Sequence, residues 1–211
     1  TAVLHLGTLL AVIAYFRMEL WSLRRARSDP EARHLLGLLF IGSLPAALAL
    51  LVVREIDLLQ RSTTAAAQFL LVTGLVLVLA DRLPRGKRDI GRATPVDALL
   101  IGFAQLLAVL PGISRSGFTI ATGLARGFER VATARFSFLL GIPAITAAGL
   151  FELFSLANDG GVPKSAWLGV AVAGLTGYLA IAFLLRMLAR TGLSGYGFYC
   201  LAFGTIALLV L

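Results

Sequence analysis

The chain has 211 residues, of which 58% are hydrophobic and only 14% are charged. A soluble domain carries about 25% charged residues, so this composition excludes a water-soluble protein and indicates a polytopic membrane protein with a single membrane domain. The formal charge of +8 does not indicate nucleic acid as a partner, because the basic residues lie in short loops between apolar runs. Cys200 is the single cysteine of the chain, which excludes an internal disulfide.

The apolar runs predict an all-α fold with six transmembrane spans and one broken pair of short helices. In chain order the predicted spans are Ala2–Phe16, Leu35–Val53, Thr64–Ala80, Ala134–Ala157, Ala166–Leu185 and Tyr196–Leu211. In the fifth of these spans, small residues recur at Gly169, Ala173 and Gly177. That spacing predicts close contact with another helix.

The charges in the loops predict the orientation of these spans. Five arginines lie in Arg17–Arg33, four arginines and a lysine lie in Arg82–Arg92, and Arg186 and Arg190 follow the fifth span. The positive-inside rule places these three loops in the cytoplasm. Residues 98–128 must then enter and leave on the same side, because a true span there would put the arginines that follow it outside.

The broken pair of helices surrounds a polar segment, Leu110–Thr119, which we call the serine–arginine loop; it reads Leu-Pro-Gly-Ile-Ser-Arg-Ser-Gly-Phe-Thr. As a helix, the upstream apolar run Ala98–Leu110 covers about 20 Å, and the downstream run Thr119–Arg126 is shorter. A hydrocarbon core is about 30 Å thick, so half-helices that meet at Pro111 and Gly112 place the loop near mid-membrane. Broken backbone at that depth requires surrounding protein or a water-filled cavity.

The residue types of the serine–arginine loop predict a phosphate-binding site. If the second half-helix begins near Ser114 or Ser116, its free N–H groups and positive dipole end face the loop. Arg115 adds a planar guanidinium that suits phosphate oxygens. The alternative is a helix kink in which the serines bond back to carbonyl groups and Arg115 snorkels to an interface.

The nine-residue motif Pro111–Thr119 resembles the second conserved loop of the bacitracin-resistance type of undecaprenyl-diphosphate phosphatase. The resemblance extends to residues 3–12, to Phe136–Pro143 and, more loosely, to the C-terminus. It implies a multi-pass enzyme of the bacterial cytoplasmic membrane that hydrolyses a polyprenyl diphosphate to the monophosphate and recycles the lipid carrier of the cell wall. Membrane lipids, and a second copy of the chain in a homodimer, are the other expected partners.

The residues of the loop then receive expected roles in this hydrolysis. Arg115 would clamp the pyrophosphate oxygens, the hydroxyl groups would donate hydrogen bonds, and the glycines would shape the backbone. The expected catalytic residues are Arg115, Ser114 and Thr119, and the expected substrate-binding residues are Ser116, Gly112, Gly117 and Gln105. For Gln105, in the first half-helix, a hydrogen bond to a neighbouring side chain is the alternative.

The order of spans and hairpin predicts part of an inverted repeat. Residues 98–128 form a re-entrant hairpin followed by three spans in 129–211, whereas residues 1–97 hold three spans without a hairpin. The expected partner hairpin would precede Thr1. The resemblance implies that it carries glutamates, serines and a histidine for catalysis and for a Mg²⁺ or Ca²⁺ site. No metal site is predicted in the chain itself, because its carboxylates and histidines lack metal-ligand spacing.

The remaining polar residues have structural interpretations. His5 is expected in the core, Glu152 at the outer interface or in an ion pair, and Asp97 as the N-cap of the first half-helix. A different function class, a lipid-phosphate flippase or anion transporter, would use the same half-helix N-terminus to bind an anion. An acidic, serine- and histidine-bearing hairpin upstream of Thr1 would favour hydrolysis over transport. A purely structural membrane subunit would leave Arg115 unexplained.

Overall fold

The computed structural model describes residues 2–52, 56–158 and 164–211. Within these ranges it leaves out the side chains at positions 2, 3, 49–52, 57, 148, 151–158, 164 and 165. The regular secondary structure of the described residues is all helical and includes no strand, as the apolar runs predict. An isolated β-bridge pairs Arg88 with Phe128.

The helices follow one another with short connections. In chain order they are α1 (Ala2–Tyr15), α2 (Arg17–Leu23), α3 (Pro30–Val52), α4 (Asp57–Gln60), α5 (Thr63–Asp81), α6 (Pro95–Leu106), α7 (Arg115–Ala125), α8 (Arg130–Asn158), α9 (Lys164–Arg190) and α10 (Ser194–Val210). Two 3₁₀ turns, Ile90–Arg92 and Leu107–Val109, precede and follow α6.

Several of these helices are apolar enough for a membrane. By length and composition, Thr63–Asp81 and Ala166–Arg190 each suffice to cross one, and the bent pair Leu4–Tyr15 and Arg17–Leu23 adds a third candidate. Shorter apolar helices cover Pro95–Val109 and Ser194–Val210. The described residues therefore support a membrane protein, while the six-span count stays a prediction. The predicted spans in α3 and α8 end in residues whose side chains are not described, Glu152 among them.

The start of the chain differs from the prediction of one span followed by a loop. After α1 the chain bends by 74° at the buried Phe16 and continues at once as α2. Helical hydrogen bonding resumes directly, because the Leu20 N–H donates to the Phe16 carbonyl. The arginine-rich segment Arg17–Arg33 therefore begins as a helix. Its charges predict a loop, but charge alone does not prevent helix formation.

The residues form two compact units, and the first contains Thr1–Leu36 and Phe138–Arg186. In this unit α1 packs on α9 through small residues. A Cβ on Gly169 would meet Leu4 at 2.8 Å, and one on Gly177 would meet Ala11 at 3.1 Å. The close helix contact predicted for this stripe is confirmed. His5 in α1 is exposed, which contradicts the expected core position.

The second unit contains Gly37–Ser137 and Met187–Leu211, and α5 is its central helix. One side of α5 packs on α10 at glycines: a Cβ on Gly74 would meet the Gly197 carbonyl oxygen at 2.8 Å. At the end of α5, Asp81 accepts hydrogen bonds from Arg130 and from the main chain and hydroxyl of Ser194. These bonds tie the first residues of α8 and α10 to α5, whose other side contacts the serine–arginine loop.

Candidate functional site

The serine–arginine loop ends where α7 begins at Arg115, as predicted for the second half-helix. Ser114 is the N-cap: its backbone is extended, and its Oγ accepts from the Gly117 N–H at 3.1 Å. The first N–H groups of a helix have no partner within it, so those of Arg115 and Ser116 point out of the end of α7. The positive end of the helix dipole lies at the same place. The hydroxyl proton of Ser114 stays available for an acceptor, because the bond to Gly117 uses only an oxygen lone pair.

The Arg115 guanidinium lies partly buried at this helix end. Its Nη1 atom is buried and has no hydrogen-bond partner among the described residues. Gln105 is only 5% exposed, and both polar atoms of its amide also lack a partner in the described part of the chain. Buried polar groups are almost always hydrogen-bonded, since an unmade bond costs about 1–3 kcal/mol. Each of these two side chains can therefore still bond to a polar ligand or to water.

The backbone of the loop lies directly against α5. Gly112 has a φ of +82°, and a Cβ there would overlap the carbonyl oxygen of Ala66. The buried Thr73 side chain donates to the Gly112 carbonyl at 2.9 Å and accepts from the Ser114 N–H at 3.1 Å. The predicted shaping role of Gly112 agrees with this geometry. Thr73 was missed by sequence reasoning, although a hydroxyl in the middle of an apolar run was a usable signal.

Thr119 and Ser116 occupy different surroundings. Thr119 is fully buried, and its hydroxyl donates to main-chain carbonyls of its own helix, Arg115 at 2.9 Å and Ser116 at 3.1 Å. The same Oγ1 lies 2.5 Å from the Ser137 hydroxyl. Because a threonine hydroxyl has one proton, this arrangement leaves none for a substrate, contrary to the expected donor role. Ser116 is partly exposed at the helix end.

The first half-helix reaches further than its apolar run predicts. The 12 residues of α6 and the 3 of the following 3₁₀ turn extend about 24 Å. At the far end, the Gln60 side chain donates to the Val109 carbonyl at 3.3 Å. Gln60 lies just before the N-terminus of α5. Thr73 lies near the middle of α5, about 12 Å from the C-terminal end of the helix at Asp81. The loop therefore turns back beside the first half of α5 and places Ser114 near the middle of that helix.

The start of α6 and the end of α7, which form the base of the hairpin, meet at Asp97. This fully buried carboxylate accepts from Arg126 Nε at 2.7 Å and from Arg88 at 2.9 Å. Burial alone would raise the pKa of Asp97, but hydrogen bonds from Thr94, Arg126 and Arg88 outweigh it and hold the pKa far below its usual range. The N-cap of α6 is Thr94 and not Asp97 as predicted, because Asp97 occupies the third helical position of a capping box.

Main-chain hydrogen bonds close the hairpin at the same place. The Arg88 N–H donates to the Gly127 carbonyl at 3.1 Å, and the Glu129 N–H donates to the Arg88 carbonyl at 3.0 Å. The Arg88 guanidinium also stacks on the Phe128 ring at 4.3 Å. Residues 88 and 127–129 are thus neighbours, and the chain between them leaves and returns to one point.

Metal-binding side chains are not clustered in the part of the chain that the structure describes. Within 2–52, 56–158 and 164–211, no group of three or more His, Cys, Asp or Glu side chains is placed to hold an ion. The hydrogen bonds of the Ser114 side chain involve no carboxylate or imidazole from these residues. The loop presents the N-terminus of a helix, hydroxyl groups and one arginine, and a Mg²⁺ or Ca²⁺ ion does not fit these donors.

Comparison with known proteins decides the family. A sequence model described as bacitracin resistance protein BacA matches residues 1–206. The chain belongs to this family. Among relatives of the BacA family, a protein of Thermomicrobium roseum named undecaprenyl-diphosphatase is 45% identical, over 98% of this chain and 82% of the relative. Undecaprenyl-diphosphatase of Micrococcus luteus is 40% identical, and undecaprenyl-diphosphatase 2 of Chromobacterium violaceum is 42% identical, each over 98% of this chain and 80% of the relative.

Proposed function

We propose that this chain hydrolyses undecaprenyl diphosphate to the monophosphate and inorganic phosphate, and so recycles the lipid carrier of the cell wall. Family membership and the names of its relatives support this reaction over transport. The observation that carries the proposal is the partly buried Arg115 guanidinium at the N-terminus of α7, whose buried Nη1 atom has no partner among the described residues. A diphosphate supplies the anionic oxygens that such a site lacks.

In this reaction the serine–arginine loop binds and stabilises charge. Attack of water on the terminal phosphorus breaks the bond to the bridging oxygen, and the electron pair of that bond stays on the lipid monophosphate. Arg115 and the free N–H groups of Arg115 and Ser116 lie at the α7 end, where this negative charge is stabilised. The Ser114 hydroxyl donates one further hydrogen bond. Donors fixed in place before the reaction are more effective than water, which must reorient.

We assign Thr119 to the support of this helix end and not to contact with substrate. Its hydroxyl bonds to the Arg115 and Ser116 carbonyls and meets Ser137, so it fixes the first turn of α7. Ser114 is not assigned as the nucleophile, because its side chain bonds to no general base among the described residues. Any divalent cation would need ligands other than the described donors of the loop, and no step is assigned to one.

The proposed setting is the bacterial cytoplasmic membrane, with six spans arranged as part of an inverted repeat. The hairpin α6–α7 enters from the cytoplasmic side, where the arginine-rich segments lie. Its closed base at Asp97 and its turn beside the middle of α5 support a re-entrant segment over a span. The lipid tail would lie between helices, open to the bilayer, with the diphosphate at the loop.

An assay of the complete purified protein in detergent micelles distinguishes hydrolysis from transport. A transporter needs two compartments and changes no covalent bond, whereas a phosphatase releases phosphate without a membrane barrier. We expect phosphate release from undecaprenyl diphosphate in micelles, with undecaprenyl monophosphate formed in equal amount. If micelles give no release while vesicles containing the protein move the intact lipid across the bilayer, the protein is a transporter.

A further inference from the structure

Thr73 is a single polar side chain in the middle of α5 that contacts the serine–arginine loop at two points. It is fully buried, and its neighbours along the helix, Val72 and Gly74, offer no hydroxyl. Its Oγ1 donates to the Gly112 carbonyl at 2.9 Å and accepts from the Ser114 N–H at 3.1 Å. One hydroxyl thus bonds to the residue before Ile113, in the glycine turn, and to the residue after it, which is the N-cap of α7.

We propose that Thr73 is a positioning residue that sets where Ser114 and Arg115 stand relative to the diphosphate. This inference rests on the proposed function of the loop. Thr73 does not touch the substrate. It acts through the backbone at Gly112 and Ser114, and thereby through the start of α7.

The loop cannot make these two bonds by itself. The Gly112 carbonyl faces α5, where it accepts from Thr73, and the Ser114 N–H precedes the helix and has no helical partner. Gly112 and Ser114 are both partly buried, and a backbone group shielded from water needs a partner. A threonine hydroxyl offers one proton and two lone pairs, and these contacts use the proton and one lone pair. The match explains why a hydroxyl, and not an apolar side chain, stands at this position.

The consequence for catalysis follows from connectivity. Ser114 is the N-cap of α7, and Arg115 is its first residue. A shift of the Ser114 backbone therefore moves the hydroxyl, the guanidinium and the free N–H groups together. Displacement of catalytic groups by about 1 Å can cost about 100-fold in rate. If the two Thr73 bonds only stabilised the fold, their loss would lower the amount of folded protein but would not change the kcat of each folded molecule.

The test compares Thr73→Val, which keeps the shape and removes the hydroxyl, with Thr73→Ser, which keeps the hydroxyl. The matched control is Thr133→Val, because Thr133 is equally buried in the same unit. Among the described residues its hydroxyl bonds to the Glu129 carbonyl of its own turn and not to the serine–arginine loop. Rates are measured per folded molecule, as phosphate release from undecaprenyl diphosphate. We expect Thr73→Val to lower kcat by about tenfold to 100-fold with a much smaller change in KM. Thr73→Ser and Thr133→Val should retain most of kcat.

Two further measurements separate positioning from stability. Hydrogen exchange of the peptide covering 112–117 should be faster in Thr73→Val than in Thr133→Val, since the Ser114 amide loses its acceptor. In an Arg115→Ala background, Thr73→Val should lower kcat much less than in the wild type, because residues that act as one unit are not additive. Equal kcat losses in both backgrounds, equal losses in Thr73→Val and Thr73→Ser, or an unchanged kcat in Thr73→Val would each overturn the inference. Absence of phosphate release from the wild type would instead refute the proposed function.

Discussion

Gly112 takes a backbone conformation that no other residue adopts without strain, and it lies in contact with α5. Its φ is +82°, and a Cβ would overlap the Ala66 carbonyl oxygen. The left-handed conformation alone costs an L-residue about 1–2 kcal/mol, and the overlap adds to this. We therefore expect Gly112→Ala to lower both the apparent Tm in detergent and the rate of phosphate release.

Gly195→Ala is the matched control for this change. Gly195 lies in α10, is exposed, and has open space where a Cβ would stand. An alanine there should leave the rate unchanged and the Tm equal or slightly higher, because alanine favours a helix over glycine by about 1 kcal/mol. A Gly112→Ala protein with the Tm and rate of Gly195→Ala would show that the loop does not adopt this conformation.

At the residue scale the sequence predicted the site from local chemistry. A proline–glycine break, two serines around an arginine and short apolar flanks were enough to place Ser114 and Arg115 at a helix N-terminus. The sequence could not predict the partners of Thr119, because Ser137 comes from a different helix. Nor could it find Thr73, since its two bonds to the loop depend on the side of α5 that faces Gly112.

At the scale of elements, the base of the α6–α7 hairpin depends on Asp97. Asparagine at this position removes the charge that pairs with Arg88 and Arg126, whose side chains are 37% and 42% exposed and can be hydrated. We expect Asp97→Asn to destabilise the protein by about 1–3 kcal/mol, measured as a lower apparent Tm. Arg126→Ala should cost less than Asp97→Asn, because Arg88 and Thr94 still bond to the buried carboxylate.

The pH dependence of the Asp97→Asn effect follows from the lowered pKa of Asp97. A carboxyl whose pKa is lowered by folding contributes stability above its unfolded pKa, about 3.9, and loses it as the pH falls towards the folded pKa. The Tm difference between wild type and Asp97→Asn should therefore be constant from about pH 9 to pH 5 and shrink below about pH 4. A difference that changes between about pH 6 and pH 8 would mean that another group titrates there.

The hairpin also predicts which positions face the same side of the membrane. Lys87 and Glu129 are exposed and flank the hydrogen-bonded Arg88 and Gly127 backbones. Single cysteines at these two positions, in a protein with Cys200 replaced by serine, should react with a membrane-impermeant maleimide only from the cytoplasmic side. Labelling from opposite sides would mean that residues 98–128 cross the membrane.

Loop charges alone predict a re-entrant hairpin at residues 98–128, because a span there would put basic residues on the wrong side of the membrane. The helix ends are less predictable. α6 begins with the Thr94 capping box and continues as a 3₁₀ turn to Val109, so it reaches Gln60. The position where this first half-helix ends depends on its contact with Gln60, just before α5. The apolar run of α6 alone does not predict that contact.

At the scale of the whole molecule, each compact unit combines residues from both halves of the chain. The sequence predicted the glycine stripe of α9, and the same chemistry recurs where Gly74 of α5 meets Gly197 of α10. It did not identify α1 as the partner of α9 or α10 as the partner of α5. A small-residue stripe shows that a helix packs closely but does not select the neighbour.

In the proposed reaction the central role belongs to Arg115, which we expect to bind the diphosphate and to stabilise charge in the transition state. Arg126 is an unsuitable control for this residue, since it pairs with Asp97 at the base of the hairpin. Arg85 is suitable, because it is an exposed arginine of the segment before α6. Alanine at Arg85 tests the loss of one positive charge from the protein without a change at the serine–arginine loop.

The most direct measurement is kcat/KM for phosphate release from undecaprenyl diphosphate by wild type, Arg115→Ala, Arg115→Lys and Arg85→Ala. Loss of one preorganised donor typically lowers kcat by about 10²–10³-fold, and we expect at least this loss in kcat/KM for Arg115→Ala. Arg115→Lys should recover part of it, because lysine keeps the charge but lacks the planar fork, and Arg85→Ala should equal the wild type. Wild-type activity in Arg115→Ala, or equal losses in Arg115→Ala and Arg85→Ala, would contradict this role of Arg115.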